Sequence, residues 1–179
     1  MPLLDIVTVP NKVLRGKAKA IKKVDQDTKT LIDNMVETMR EAPGVGLAAP
    51  QVGILSRVIV VEWGDDEEDE SKKKLYTLVN PEIVKKSKET VLGVEGCLSI
   101  PKFVGEVERS EKVTVKGFNR NGQPVKINAT GWLARIFQHE IDHLEGILFT
   151  DRAENLTMIG ENENPEEIEA QQIIVSKEE

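Results

Sequence analysis

The stretch FQHEIDHLEG, residues 137–146, contains both histidines of this 179-residue chain, placed four positions apart. Apolar residues before and within this stretch recur at the spacing of one buried helical face. They are Leu133, Ile136, Phe137, Ile141 and Leu144. The pattern begins after Thr130, and Gly146 follows it as a residue that commonly ends helices. The sequence therefore predicts a mostly buried helix that carries both histidines.

The two histidines and the glutamate between them form an H-E-x-x-H pattern. Residues i and i+4 project from the same face of a helix, so His139 and His143 can direct ring nitrogens at one metal ion. Glu140 is placed to touch a metal-activated water without being a ligand, as a general base for hydrolysis requires. A catalytic site of this kind needs three protein ligands, so the third is a carboxylate or the thiol. The alternative interpretation is a chance spacing of two histidines and a helical glutamate.

Cys97 is the only cysteine, and it lies in EGCLSIP, residues 95–101. A single cysteine excludes an internal disulfide, which is typical of a reducing compartment. A lone cysteine is more often an inert buried residue. Here, however, the thiol follows Gly96 at the end of a strand-like segment, and glycine permits close approach of the backbone to an ion. We therefore take Cys97 as the candidate third ligand.

A third stretch, PGVGLAAPQVG at residues 43–53, surrounds the single amide Gln51 with small residues. It is not a phosphate-binding loop, because it lacks the Gly-Lys-Ser/Thr ending and no helical pattern follows it. One interpretation is a helix cap and turn that happens to be rich in small residues. The other is that a substrate backbone lies against this segment while Gln51 donates a hydrogen bond to an oxyanion.

The remaining pattern predicts a single α+β domain of antiparallel strands packed around the histidine-bearing helix, with an N-terminal helix. That first helix covers residues 30–40, with Asp25 or Asp27 as N-cap, and ends at Pro43 and Gly44. Strands in a meander are predicted at residues 57–63, 75–84, 88–94, 103–109, 112–118 and 123–129, with an Asn-Gly hairpin turn at 121–122. We expect a catalytic domain over residues 1–152, an exposed acidic loop at 65–70, and an acidic, partly mobile tail over 153–179.

Composition and charge argue against a membrane or nucleic-acid protein. Apolar residues make up 39% of the chain, and no apolar run approaches the roughly 20 residues of a membrane span. The first eleven residues lack the features of a signal peptide, so we expect a cytosolic location. Residues 154–179 carry eight Glu and one Lys, which accounts for the whole net charge of −7. The basic cluster that remains is Lys12, Lys17, Lys19, Lys22 and Lys23.

Three blocks, GVGLAAPQ (44–51), EGCLS (95–99) and HEIDHLEG (139–146), resemble in order and separation the signature blocks of the peptide deformylase family. The strand pattern is compatible with that family from about residue 3 to residue 152. The resemblance implies a metal-dependent hydrolase that removes the N-formyl group from the initiator methionine of nascent polypeptides and releases formate. It also implies a bacterial cytoplasmic or an organellar location.

The resemblance assigns a role to each residue of the blocks. Cys97, His139 and His143 would bind the metal with water as fourth ligand, and Glu140 would be the general base. The Gln51 side chain and the backbone N–H of Leu98 would hold the oxyanion. Two imidazoles and a thiolate suit Zn²⁺, whereas the family implies Fe²⁺ in the cell, with Zn²⁺, Ni²⁺ or Co²⁺ in purified protein.

The resemblance also implies how N-formylmethionyl peptides bind. We expect seven residues to contact them, the last two forming with Val45 a pocket for the methionine side chain. They are Gly44, Val45, Gly46, Glu95, Gly96, Trp132 and Ile136. We further expect a monomer, with a ribosome contact through the lysine cluster rather than the acidic tail. The rival functions are a metallopeptidase that cuts internal amide bonds and a binding protein with a deformylase-like fold.

Overall fold

The computed structural model describes residues 2–159, which form two antiparallel sheets and three α-helices. Helix α1 (Gln26–Glu41) starts after Asp25, whose carboxylate accepts a hydrogen bond from the backbone N–H of Thr28 at 2.9 Å. This confirms the first helix and one of its two proposed N-caps. Helix α2 (Gly131–Leu144) is the predicted histidine-bearing helix, and Gly146 follows it with φ +73°. Helix α3 (Phe149–Arg152) is a single turn.

Eight strands form the two sheets. They are β1 (Gly46–Ala48), β2 (Val58–Trp63), β3 (Lys74–Lys86), β4 (Thr90–Cys97), β5 (Ile100–Ser110), β6 (Lys112–Phe118), β7 (Pro124–Thr130) and β8 (Glu154–Met158). The larger sheet has the order β1-β2-β3-β6-β7, and the smaller one has the order β4-β5-β8. The predicted α+β class is confirmed. The single meander is wrong, because β3 pairs with β6 and the β4-β5 hairpin leaves for the other sheet.

The five-stranded sheet lies between the two long helices. Along β2, Ile59, Val61 and Trp63 pack on the α2 side, whereas Val58 and Val60 pack on the α1 side. Successive residues of a strand face opposite sides of a sheet, so a strand that is covered on both faces needs an uninterrupted apolar run. This explains why VIVVEW shows no polar alternation, and it fixes α2 against the sheet.

Two local predictions concern connections, and both agree with the structure. β6 and β7 form a hairpin whose turn contains Gly122 at φ +77°. Residues 64–73 form an exposed connection in which Lys72 pairs with Asp66 at 2.6 Å and Lys73 with Glu70 at 2.9 Å. The lysines that follow the acidic run thus neutralise part of its charge.

The predicted tail begins inside the small sheet. Residues Glu154–Met158 form β8, which pairs with β5, so the first part of the tail is an edge strand. The rest of the expected mobile tail lies outside the described residues. Among residues 2–159, no helix has the length and apolar content that crossing a membrane requires.

Candidate metal centre

Helix α2 and the end of β4 bring three ligand side chains together. One ligand atom each from Cys97, His139 and His143 lies within 4.8 Å of the others. Cys97 Sγ lies 3.4 Å from His143 Nε2. All three residues are largely buried, with His139 at 9% exposure, Cys97 at 5% and His143 at 1%. Residues 42 to 46 positions apart in sequence thus form the sulfur and nitrogen donor set that Zn²⁺ and similar divalent ions prefer.

Glu95 fixes the orientation of the first histidine. Its Oε1 lies 2.8 Å from Nδ1 of His139, which leaves Nε2 of that ring for the metal. A carboxylate on the second ring nitrogen of a metal-binding histidine sets the tautomer and makes the ligand more basic. Burial alone would raise the pKa of Glu95, but hydrogen bonds from Arg109 and His139 hold it well below its ordinary value. Glu95 is therefore a carboxylate when it holds His139.

Two arginines surround this carboxylate. Arg109 donates to both oxygens of Glu95 at 2.9 Å and also to Asp142 at 2.6 Å. Arg135 donates to Glu95 at 2.7 Å and to the backbone carbonyl of Val107 at 2.7 Å. We predicted that the backbone at Glu95 and Gly96 contacts the peptide, and the commitment of the Glu95 side chain to this network is compatible with a contact through the backbone alone. One sequence signal was available, since Glu95 and Cys97 are two apart and share a face of a strand.

The two histidines have opposite pKa shifts. Burial, together with the charges of His139 and Arg109, lowers the pKa of His143 well below its ordinary value. The neutral imidazole that results is the form that binds metals. For His139 burial acts in the same direction, but hydrogen bonds to Cys97 and Glu95 outweigh it and raise the pKa. Positive charge is thus stabilised between the thiol and the carboxylates, and the donor set fits a divalent metal.

The small residues before Gln51 pack against the side chain of Glu140. Gly46 and its neighbours form strand β1, so the segment is more than a helix cap and a turn. Its first part does cap a helix, because the N–H of Gly44 donates to the carbonyl of Met39 in α1. A Cβ on Gly46 would lie 2.6 Å from Oε1 of Glu140. The carboxylate of the predicted general base therefore packs directly on the backbone of β1, where only glycine fits.

Gln51 follows β1 in a short 3-10 helix, Ala49–Val52, and reaches the thiol. Its side-chain oxygen accepts a hydrogen bond from the backbone N–H of Ala48 at 2.9 Å. Its amide nitrogen lies 3.4 Å from Cys97 Sγ and 3.2 Å from Ser99 Oγ. The predicted oxyanion donor is thus next to the metal ligands, with both ends of its amide fixed.

A cavity of about 310 Å³ opens in front of these groups. All seven predicted peptide-binding residues line it, together with Gln51, Cys97, Leu98, His139 and Glu140. Arg135 lines the cavity as well, and so do Trp63 and Lys73, which sequence reasoning missed. The rings of Trp63 and Trp132 are 6.4 Å apart, and the Arg135 guanidinium lies 5.3 Å from the Trp132 ring centre. These residues give one part of the cavity an aromatic wall.

Within residues 2–159, two strand edges that pair with no further strand border the cavity. β1 is the outer strand of the five-stranded sheet, and β4 is the outer strand of the three-stranded sheet. Gly46 of β1 and Gly96 of β4 both line the cavity. An exposed edge can accept an extended peptide as an added strand. The cavity therefore combines a metal site with edges that suit a peptide backbone.

Comparisons with known proteins agree with this geometry. The model of the polypeptide deformylase family matches residues 3–158. A peptide deformylase of Symbiobacterium thermophilum is 52% identical over 97% of this chain and 78% of its own. Peptide deformylase 1 of Bacillus subtilis is 49% identical over 85% of this chain and 91% of its own. The Met-Ala-Ser-bound crystal structure of class I type b peptide deformylase from Acinetobacter baumannii is 40% identical, with a TM-score of 0.79 over 84% of this chain and 98% of that one.

Proposed function

The chain belongs to the polypeptide deformylase family, and from that premise we infer that it hydrolyses the N-formyl group from the initiator methionine of nascent polypeptides. The products are formate and a peptide with a free amino terminus. The observation that carries this function is the convergence of Cys97, His139 and His143 beside a cavity that Cys97, His139 and Glu140 line. The roles of the individual residues below are our proposals.

Cys97, His139 and His143 would hold one divalent metal ion. When bound, the ion supplies a Lewis acid that polarises the formyl oxygen and lowers the pKa of a water molecule. The thiolate and two imidazoles suit Zn²⁺ by donor chemistry. By family resemblance we propose Fe²⁺ in the cell, with Zn²⁺, Ni²⁺ or Co²⁺ in its place in purified samples.

Glu140 would move the proton in both halves of the reaction. Its carboxylate lies in the cavity wall, fixed against Gly46, where it can accept a proton from the attacking water. The water oxygen forms a bond to the formyl carbon, and the carbon–nitrogen bond then breaks. Glu140 returns the proton to the departing nitrogen, so that formate leaves and the amine is released.

Gln51 and the backbone N–H of Leu98 would hold the oxygen of the formyl group as it gains negative charge. Donors that are fixed before the reaction stabilise charge without having to reorganise. Hydrogen bonds to Ala48 and Ser99 hold Gln51 in this way. Leu98 directly follows the proposed ligand Cys97, so its N–H belongs to the same turn of chain.

The peptide would lie between the two strand edges. Gly46 of β1 and Gly44 just before that strand would contact it on one side. The backbone of Glu95 and Gly96 would contact it from β4, because the side chain of Glu95 is already engaged. The bound Met-Ala-Ser of the Acinetobacter baumannii structure supports a peptide of this kind at the site. The methionine side chain would occupy the apolar part of the cavity.

The pocket for that side chain would be formed by Val45, Trp132 and Ile136, with Trp63 adding to the aromatic wall. Arg135 lines the cavity too, but its guanidinium is held by Glu95 and lies over Trp132. Its charge is therefore paired, and its flat face extends the wall.

Several wider expectations stay predictions. We propose that the chain acts as a monomer in the bacterial cytoplasm or an organelle, in keeping with its bacterial relatives. We propose that any ribosome contact uses the lysine cluster at residues 12–23, since that cluster is the local basic surface of the domain. Charge reversal of those lysines should then weaken co-sedimentation with ribosomes.

The test is formate release from formyl-Met-Ala-Ser by iron-loaded protein prepared without oxygen. We expect rapid release, none of it from the unformylated peptide, and loss of activity in Cys97→Ser. Glu140→Gln should retain metal but lose nearly all turnover. Glu145→Gln, an exposed glutamate at the end of the same helix, is the matched control and should keep the wild-type rate.

Three other results would each contradict a part of this assignment. Turnover that survives in Glu140→Gln would show that this residue is not the base. Cleavage of internal amide bonds would indicate a metallopeptidase. A folded, metal-loaded protein that releases no formate would indicate the binding protein.

A further inference from the structure

Ser99 is a fully buried hydroxyl next to the metal centre that contacts the proposed oxyanion donor Gln51 and that sequence reasoning did not single out. Its exposure is 0%, and its Oγ lies 3.2 Å from the amide nitrogen of Gln51. Ser99 does not line the cavity, whereas Gln51 does. The hydroxyl therefore lies behind Gln51 and reaches the substrate only through it.

The hydrogen bonds of Gln51 define how its amide is oriented. The backbone N–H of Ala48 donates to its oxygen, so a flipped amide would set two donors against each other. The amide nitrogen then has two hydrogens to place. One faces Ser99 Oγ, and the other faces Cys97 Sγ at the wall of the cavity.

The backbones of the two residues are held by one segment. The N–H of Val7 donates to the carbonyl of Gln51 at 2.7 Å, and the N–H of Val9 donates to the carbonyl of Ser99 at 3.0 Å. This segment bridges the 3-10 helix after β1 and the turn between β4 and β5. The distance between the Ser99 hydroxyl and the Gln51 amide is therefore set by structure outside the cavity.

We infer that Ser99 is a positioning residue that holds the Gln51 amide so that its second hydrogen, which faces Cys97 Sγ here, stays at the cavity wall where the reacting oxygen would accept it. This inference rests on the proposed role of Gln51 as oxyanion donor. Without the hydroxyl, one amide hydrogen is left buried without a partner, and the amide turns to satisfy it. The donor is then no longer fixed before charge develops, so the catalytic step is slowed while substrate binding is preserved.

The experiment is a double-mutant cycle of Ser99→Ala and Gln51→Ala on the iron-loaded protein, with kcat and KM measured separately. Removal of one oxyanion donor lowers kcat by roughly 100-fold to 1,000-fold, and a loosened donor should lose about 10-fold. We expect Ser99→Ala to lower kcat about 10-fold with KM unchanged. In the Gln51→Ala background the same change should have no further effect, because Ser99 acts only through Gln51.

Two further variants separate positioning from stability. Ser99→Thr keeps the hydroxyl but crowds a buried site, so it should be less stable yet retain more kcat than Ser99→Ala. Thr28→Val removes another buried hydroxyl, at the start of α1 and away from the cavity, and should lower Tm without changing kcat. The readout that does not use activity is the thiolate-to-metal charge-transfer band of Co²⁺-loaded protein. Ser99→Ala and Gln51→Ala should shift it in the same direction, because both weaken the amide hydrogen bond to Cys97.

The outcomes are distinguishable. If Gln51→Ala leaves kcat unchanged, the proposed role of Gln51 fails, and the inference fails with it. If Gln51→Ala lowers kcat but Ser99→Ala lowers it equally in both backgrounds, only the inference is overturned. The inference would also be overturned if kcat rose and fell with Tm across the Ser99 variants.

Discussion

Replacement of Glu95 by glutamine tests how the metal centre is held, because it keeps the shape of the side chain and removes its charge. The wild-type carboxylate makes four hydrogen bonds, two with Arg109 and one each with Arg135 and His139. Removing one partner of a buried ion pair costs about 3–5 kcal/mol. Glutamine retains one acceptor oxygen, and Arg109 still donates a hydrogen bond to Asp142. We therefore expect a loss near the lower end, about 3 kcal/mol in the free energy of unfolding.

The assay combines urea unfolding at a fixed metal concentration with chelator competition. A loss of about 3 kcal/mol lowers Tm by roughly 6–12 °C in a domain of this size. Metal affinity should fall about 10-fold to 100-fold, because the amide holds Nδ1 of His139 less strongly than the carboxylate does. Glu82→Gln, an exposed glutamate of β3, is the control and should stay within about 0.5 kcal/mol of wild type. If Glu95→Gln matched this control in both stability and metal affinity, the network would have no role in holding His139.

Three other changes test separate parts of the site. Gly46→Ala should lower kcat about 100-fold with a small loss of stability, because the new Cβ displaces the carboxylate of Glu140 from the reacting atoms. Equal kcat in steady-state formate release would refute that packing. Trp132→Ala should lower kcat/KM for formyl-Met-Ala-Ser by about tenfold or more, and an unchanged value would remove Trp132 from the pocket. Removing the metal with a chelator should abolish formate release. Far-UV circular dichroism should stay nearly unchanged, since apolar clusters hold the fold of residues 2–159. A large loss of secondary structure would contradict this.

Local patterns were sufficient for the elements that carry most of the chemistry. α2 was predictable because its apolar face repeats at helical spacing, and the same spacing places His139 and His143 together. The β6-β7 hairpin was predictable because Asn-Gly favours the positive φ that its turn requires. In both cases the signal and the structure it specifies lie within a few residues of each other.

The parts that sequence reasoning missed depend on distant pairing. β1 has only three residues, too few for a sequence pattern, and exists because β2 pairs with it. The apolar pattern identified β3 to β6 as strands, but it does not say which strand is the neighbour of which. The pairing of β3 with β6 also contains two register shifts, one of which spans Asn80 at φ +51°, and the apolar pattern does not show them. Similarly, nothing in the spacing of Glu95 and Arg109 shows that they meet across β4 and β5.

The site is composite, and this explains why so many of its supports lie outside the three sequence blocks. The proposed ligand Cys97 comes from the small sheet, Gln51 follows the edge of the large sheet, and His139 and His143 come from the helix between them. A displacement of one sheet by about 1 Å would separate these groups enough to lower the rate about 100-fold. Interactions that connect the two sheets are therefore as important for the rate as the ligands are. Arg109 links the small sheet to α2. The segment that carries Val7 and Val9 links the turn after β4 to the short helix after β1. Substitutions at these residues should therefore lower activity, although none of them contacts the substrate.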